Sequence, residues 1–272
     1  MNEFELIKKY FQKFAKNNPG SMKLNDDVFF DKNNKIVISI DTYNEGIHFP
    51  NFKSPDLVMK KILRSSISDL ISKGVKPKYY FLSGSGNKKN FTNKNMKLIS
   101  YSLQQEHKKY KIKLSGGDTT NSNKVSFSVT SVGYSNKIIK RNNANANDDL
   151  YVTGNIGDSF LGLNIIKKKV KVNNKLKKYF IKQYYCPNLP YKICEKLSKF
   201  ANTSMDISDG LIADAKKLIN MQNLSFQIDV NKIPISNKLK TYIIKKKKIK
   251  SNTCLIVTII KLFLLPQLIK EP

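Results

Sequence analysis

Carboxylates beside small polar residues are the part of this sequence that could do chemistry. The chain has only 20 acidic residues. Many of them stand in short clusters: Asn25-Asp26-Asp27, Ser39-Ile40-Asp41-Thr42, Ser68-Asp69-Leu70, Gly116-Gly117-Asp118-Thr119-Thr120 and Asp206-Ile207-Ser208-Asp209-Gly210. No Cys or His cluster accompanies them. Cys186, Cys194 and Cys254 lack metal-ligand spacing, and reduced thiols in a cytoplasm are their simple reading. Hard oxygen ligands suit Mg²⁺, which keeps waters and substrate phosphates as its remaining ligands, better than zinc or iron. A carboxylate cluster repels ATP unless metal ions bridge the two. The chemistry this implies is phosphoryl transfer from ATP to a small molecule through several Mg²⁺ ions. An Asp before Gly is also a common turn residue or helix cap, so any one cluster taken alone has a structural reading as well. The Gly116–Thr120 cluster is more specific. Its paired glycines permit close backbone approach to a phosphate, and Asp118, Thr119 and Thr120 can ligate metal or accept hydrogen bonds. There is no P-loop, no GxGxxG and no protein-kinase motif set, so a phosphotransferase of this sequence belongs to another fold.

The elements that must position these residues alternate between strand and helix patterns. Helices are expected over residues 4–14, 55–73, 93–107, 158–168, 175–185, 191–200 and 209–221. Ser54 is the expected N-cap of the second, with Pro55 at its first position. Strands are expected over 35–40, 79–83, 112–115, 125–134, 150–153 and 225–230. Asp41 and Asp118 then fall at or just past strand ends, where carboxylates converge on one sheet edge. The Asn-rich stretch 137–149 is the expected domain boundary. The expected fold class is α/β (α+β), with two domains, 1–138 and 139–272, and mixed sheets.

The net charge of +29 prompts a nucleic-acid reading, which the composition weakens. All but two of the 49 basic residues are lysines, the exceptions being Arg64 and Arg141. Lys, Asn and Ile are the residues of A/T-rich codons, whereas phosphate-backbone recognition also favours Arg forks. No nucleic-acid partner is expected. No membrane partner is expected either. The start of the chain lacks the apolar core of a signal peptide. The apolar stretch 254–269 contains Lys261 and Pro266 and is too short to span a bilayer. The expected location is cytoplasmic.

Taken in order, NDD, SIDTYNEGIHF, SISDLISKGVKP, LSGGDTT, YVTGNIGDS and MDISDGLIAD resemble thiamine-monophosphate kinase. That family belongs to the superfamily that includes aminoimidazole-ribotide synthetase, selenophosphate synthetase and a hydrogenase maturation factor. The resemblance runs in register over residues 3–234. It implies an aminoimidazole-ribotide-synthetase-like architecture and a reaction in which ATP phosphorylates thiamine monophosphate to thiamine diphosphate. The acceptor phosphate attacks the γ-phosphoryl group directly, so no catalytic base is implied. Position by position, the resemblance implies Asp27, Ser39, Asp41, Asp69, Asp118, Asp206 and Asp209 as Mg²⁺ ligands. It implies Gly116, Gly117, Asp118, Arg141 and Ser208 as ATP contacts and His48 as a thiamine-phosphate contact. It also implies a homodimer paired through the N-terminal sheets. The alternatives are a superfamily enzyme with another small acceptor, or a chain that binds Mg–ATP without turnover.

The sequence departs from the family pattern at Asn25 (for Gly), Ile40 (for a Thr contact), Ser66 (for Asn) and Pro187-Asn188-Leu189-Pro190 (no Arg). After about Lys250 a GGEDYELLFT-like motif and a longer tail are expected, and the apolar segment 254–269 stands there instead. Leu255–Gln267, back-translated with A/T-favoured codons and read from the third base, gives Asn-Ser-Asp-Asp-Tyr-Gln-Ile-Ile-Phe-Thr-Ala-Ser, close to that motif. A frameshift just before Leu255 is therefore expected, with residues 251–272 out of frame and the second domain incomplete. Reading the underlying DNA tests this.

Overall fold

The computed structural model describes residues 3–249, so the segment expected to be out of frame lies outside the described residues. The regular elements in chain order are α1 (Glu3–Leu6), β1 (Phe29–Asp31), β2 (Ile36–Asn44), α2 (Pro55–Ser72), β3 (Pro77–Ser85), α3 (Asn93–Tyr110), β4 (Lys113–Thr120), β5 (Ser126–Tyr134), α4 (Asp158–Ile166), α5 (Asn174–Tyr185), α6 (Cys194–Leu197), α7 (Leu211–Leu218) and α8 (Asn237–Ile249). They divide into two units. One holds the chain up to Asn143 together with Leu189–Asp206; the other holds Ala144–Asn188 and the residues from Ile207 onward.

The first unit is built on one mixed sheet of order β1-β2-β5-β3-β4. All its pairs are antiparallel except β3 with β4. Parallel neighbours need a crossover, and α3 supplies it. Period-two alternation decides which face is buried. Val37, Ser39, Val129 and Ser131 point inward beneath α2, which packs on β2 and β5. The apolar residues of α2 recur at helical spacing (Val58, Ile62, Leu63, Ile67, Leu70, Ile71), and each is at most 1% exposed. Pro55 starts this helix as expected, but Ser54 makes no side-chain cap bond. The helix stops because Gly74 takes φ +80°, a left-handed C-terminal conformation open to glycine at little cost. Two charges are buried between α2 and α3: Arg64 donates to both oxygens of Glu106 at 2.7 and 2.8 Å.

Two strands run further than their patterns suggested. Asp41 and Asp118 therefore lie within β2 and β4 and not at strand ends. The reason for β4 is Gly117. A Cβ there would sit 1.9 Å from the Leu82 carbonyl oxygen, so only glycine lets the two backbones pair through this cluster.

In the second unit α4, α5 and α8 enclose a small core of Leu161, Ile165, Phe180, Leu239, Tyr242 and Ile243. Asp158 is buried there and accepts from the hydroxyls of Tyr179 and Ser236, both at 2.7 Å. The strands expected at 150–153 and 225–230 do not form. A strand needs a partner to satisfy its ladder, and the described residues of this unit offer none. Helices expected over 191–200 and 209–221 shrink to α6 and α7. Gly210, with φ +125°, holds the start of α7 back.

Candidate metal centre

Three carboxylates far apart in sequence meet in the first unit. Asp27 lies in the loop before β1, Asp69 on α2 and Asp206 at the end of the returning segment; each offers an oxygen within 4.8 Å of the others. The fold brings them together because α2 lies over β2 while residues 189–206 return to the same unit. Ser39, inward-facing on β2, donates its hydroxyl to Asp69. Ser68 donates to Asp206 at 2.6 Å. Asp41, two residues along the same strand face, accepts from the Tyr43 hydroxyl at 2.8 Å.

The electrostatics are those of crowded anions. Burial, then the charges on Asp206 and Asp41, push the Asp69 carboxyl well above the usual carboxylate range. Burial raises Asp41 as well. A cation placed among these groups would relieve both effects. The donor set is oxygen only, as Mg²⁺ prefers, so the residues present fit such an ion.

Two cations of the protein itself reach the cluster from one side. Lys73, one turn after Asp69, places its ammonium 2.8 Å from Asp26 and 2.7 Å from Asp27. It donates a third bond, at 2.8 Å, to the Ser204 carbonyl. Burial lowers its pKa. Arg141 grips Asp27 through Nε at 3.1 Å and through a terminal guanidinium nitrogen, and its backbone N–H donates to Asp26 at 2.9 Å. Sequence reasoning missed Lys73 and Tyr43, and it named Asp26 and Ser68 in their clusters without giving either a role. The i, i+4 spacing of Asp69 and Lys73 on one helix was the available signal.

Other expected site residues lie elsewhere. Asp118 is exposed on β4 opposite Ser83, and its carboxylate accepts from the Thr119 N–H at 2.8 Å. Gly116 and Gly117 share that edge strand. His48 follows β2 in an exposed loop. Its Nδ1 accepts from the Asn44 N–H at 2.9 Å, and its ring meets Tyr43 edge-on at 5.8 Å. Ser208 and Asp209 belong to the second unit. Their N–H groups and that of Gly210 all donate to Asp214, at 2.9, 3.0 and 3.0 Å. Asp214, unremarked in the sequence, is thus the carboxylate that shapes this turn. No helix among the described residues is long and apolar enough to cross a membrane.

Known proteins share this arrangement of sequence and fold. Residues 24–135, which contain the whole sheet, match the AIR synthase related protein, N-terminal domain family. The chain is 37% identical to a thiamine-monophosphate kinase of Buchnera aphidicola (subsp. Acyrthosiphon pisum) over 244 residues, 87% of this chain and 75% of the relative. It is 32% identical to one from Leptospira interrogans, over 83% of this chain and 74% of that protein. A solved structure described as AaThiL complexed with AMPPCP and TMP superposes with a TM-score of 0.81 at 28% identity, over 89% of this chain and 77% of that one. Identity of this level across three quarters of those relatives, on a fold that also superposes, shows that the chain belongs to the thiamine-monophosphate kinase family.

Proposed function

We propose that the protein transfers the γ-phosphoryl group of ATP to thiamine monophosphate, giving thiamine diphosphate and ADP, with Mg²⁺ held by its carboxylates. The observation that carries this reading is the convergence of Asp27, Asp69 and Asp206 in a chain whose relatives are thiamine-monophosphate kinases. The AaThiL structure, with an ATP analogue and TMP, supports the two substrates. Bound among the three carboxylates, Mg²⁺ would supply positive charge to phosphate oxygens. A bond forms between an acceptor phosphate oxygen and the γ-phosphorus as the bond to the β-phosphate oxygen breaks. The attacking oxygen is already anionic, so the protein has to position and screen, and no side chain is assigned as a base. Ser39 orients Asp69, and Asp41 adds a carboxylate beside it. The resemblance assigns Gly116, Gly117, Asp118, Arg141 and Ser208 to ATP, Asp118 and Asp209 to further metal contacts, and His48 to the acceptor.

A second reading, Mg–ATP binding without turnover, is favoured by one observation: the described residues of the second unit form no strand. Coupled ADP release distinguishes the two. Thiamine monophosphate should stimulate release by this chain, and His48→Ala should raise the acceptor KM by about tenfold with the ATP KM unchanged. Stimulation confined to a chain with its frame restored would favour the second reading. Stimulation by a purine-ribotide amide in place of thiamine monophosphate would favour a different acceptor.

A homodimer is part of the proposal. On the sheet face away from α2, the pairing aligns Ile38, Val132 and Tyr79 in one row and Ile40, Thr130 and Phe81 in the next. Ile40 is 69% exposed and Phe81 42%. Ordered apolar residues on an open sheet face mark a protein contact. Light scattering should therefore report twice the 31.1 kDa chain mass, and Ile40→Lys should return it to the monomer; a monomeric parent protein would refute this part.

A further inference from the structure

Lys73 is wholly enclosed: its side chain is 0% exposed, and those of its partners Asp26 and Asp27 are 3% and 8%. A lysine is almost never fully buried unless paired. Here all three ammonium protons are used, on Asp26, Asp27 and the Ser204 carbonyl. The stem leaves the end of α2 one turn after Asp69, so the helix fixes the charge beside the Asp27, Asp69 and Asp206 group. We propose that Lys73 is a built-in cation of this cluster, a positioning residue that holds Asp26 and Asp27 in place before metal binds and sets how tightly metal binds beside it. The inference rests on the metal reading above.

The physical consequence runs in two directions. Without metal, the ammonium offsets the repulsion among the carboxylates and so supports the fold. With metal, a fixed positive charge a few ångströms away repels the incoming dication and already engages an Asp27 oxygen, so it weakens binding. Removing it should therefore lower metal-free stability and raise metal affinity. A residue that merely packed would move stability alone.

The test is Lys73→Met, which keeps the stem and removes the charge. Melting in EDTA and in Mg²⁺ is followed for the purified chain, together with a calorimetric Mg²⁺ titration without nucleotide. Melting in EDTA should fall by on the order of 10 °C. The half-saturating Mg²⁺ concentration should fall by about tenfold or more, and Mg²⁺ should restore most of the lost stability. If the variant is unfolded in EDTA, Mg²⁺ should refold it by circular dichroism; failure to refold overturns the proposal. Lys73→Arg keeps the charge and should bind Mg²⁺ as weakly as the parent; binding like Lys73→Met overturns it too. An equal Mg²⁺ midpoint in Lys73→Met and the parent overturns this inference alone. A parent protein that takes up no Mg²⁺ overturns the metal reading and this inference together.

Discussion

Asp69→Asn is expected to raise the melting temperature in EDTA at pH 7 while reducing Mg²⁺-dependent ATP turnover by at least about 100-fold. The two effects have one cause. Burial and the charges of Asp206 and Asp41 lift the Asp69 carboxyl well above 3.8, so the metal-free fold disfavours its ionised form. A carboxyl raised by folding stabilises the protein fully only below its unfolded value, near 3.8. That contribution is lost as pH rises through the folded value. The Asn variant carries no such loss, so its advantage in EDTA should grow from pH 4 upward and vanish below. The amide can still accept the Ser39 bond, which keeps the packing, but it is a poor ligand for Mg²⁺. Near-normal turnover in Asp69→Asn would remove the carboxylate trio from the mechanism. An unchanged melting profile in EDTA would show that the crowding is not felt.

Glu106→Ala should cost about 3–5 kcal/mol of stability, because it leaves a buried guanidinium without its partner. Arg64 and Glu106 expose only 9% and 2% of their side chains, and the Arg64 guanidinium also lies 5.6 Å from the Tyr110 ring centre. For a chain of this size that loss corresponds to a melting drop of on the order of 10 °C. The double replacement Arg64→Met with Glu106→Leu should recover most of it, since no charge is then left buried. Urea denaturation of the parent and the two variants checks both statements. A Glu106→Ala change under about 1 kcal/mol would show the pair to be solvated. The pair ties α3 to α2, the helix that carries Asp69 and leads into Lys73, so the single variant should also loosen the carboxylate cluster.

Much of the fold was legible because its signals are local. The α2 periodicity, Pro55 at its start and Gly74 at its end act over a few residues. So does the strict alternation of β5. The second unit was less legible because a strand depends on a partner elsewhere in the chain. Residues 150–153 and 225–230 have strand composition, yet without a partner among the described residues they remain irregular. The start of α7 was misplaced for a smaller reason: Gly210 takes a conformation that the DISDG pattern does not reveal.

The chemistry divides in the same way. By itself the sequence determined that the candidate ligands are oxygen donors, without sulfur or imidazole clusters, and the order of motifs that carries the family. Residue type and order along the chain suffice for both. Only the tertiary structure decided which aspartates meet. Asp27, Asp69 and Asp206 are brought together by a helix over a sheet and by a returning segment, while Asp118 stays on the exposed edge strand. It also decided that the cluster includes a cation. Lys73 is one of many lysines in a Lys-rich chain, and its i, i+4 spacing from Asp69 does not by itself single it out. Its role comes from burial, which forces an ammonium to find anions and places it on Asp26 and Asp27.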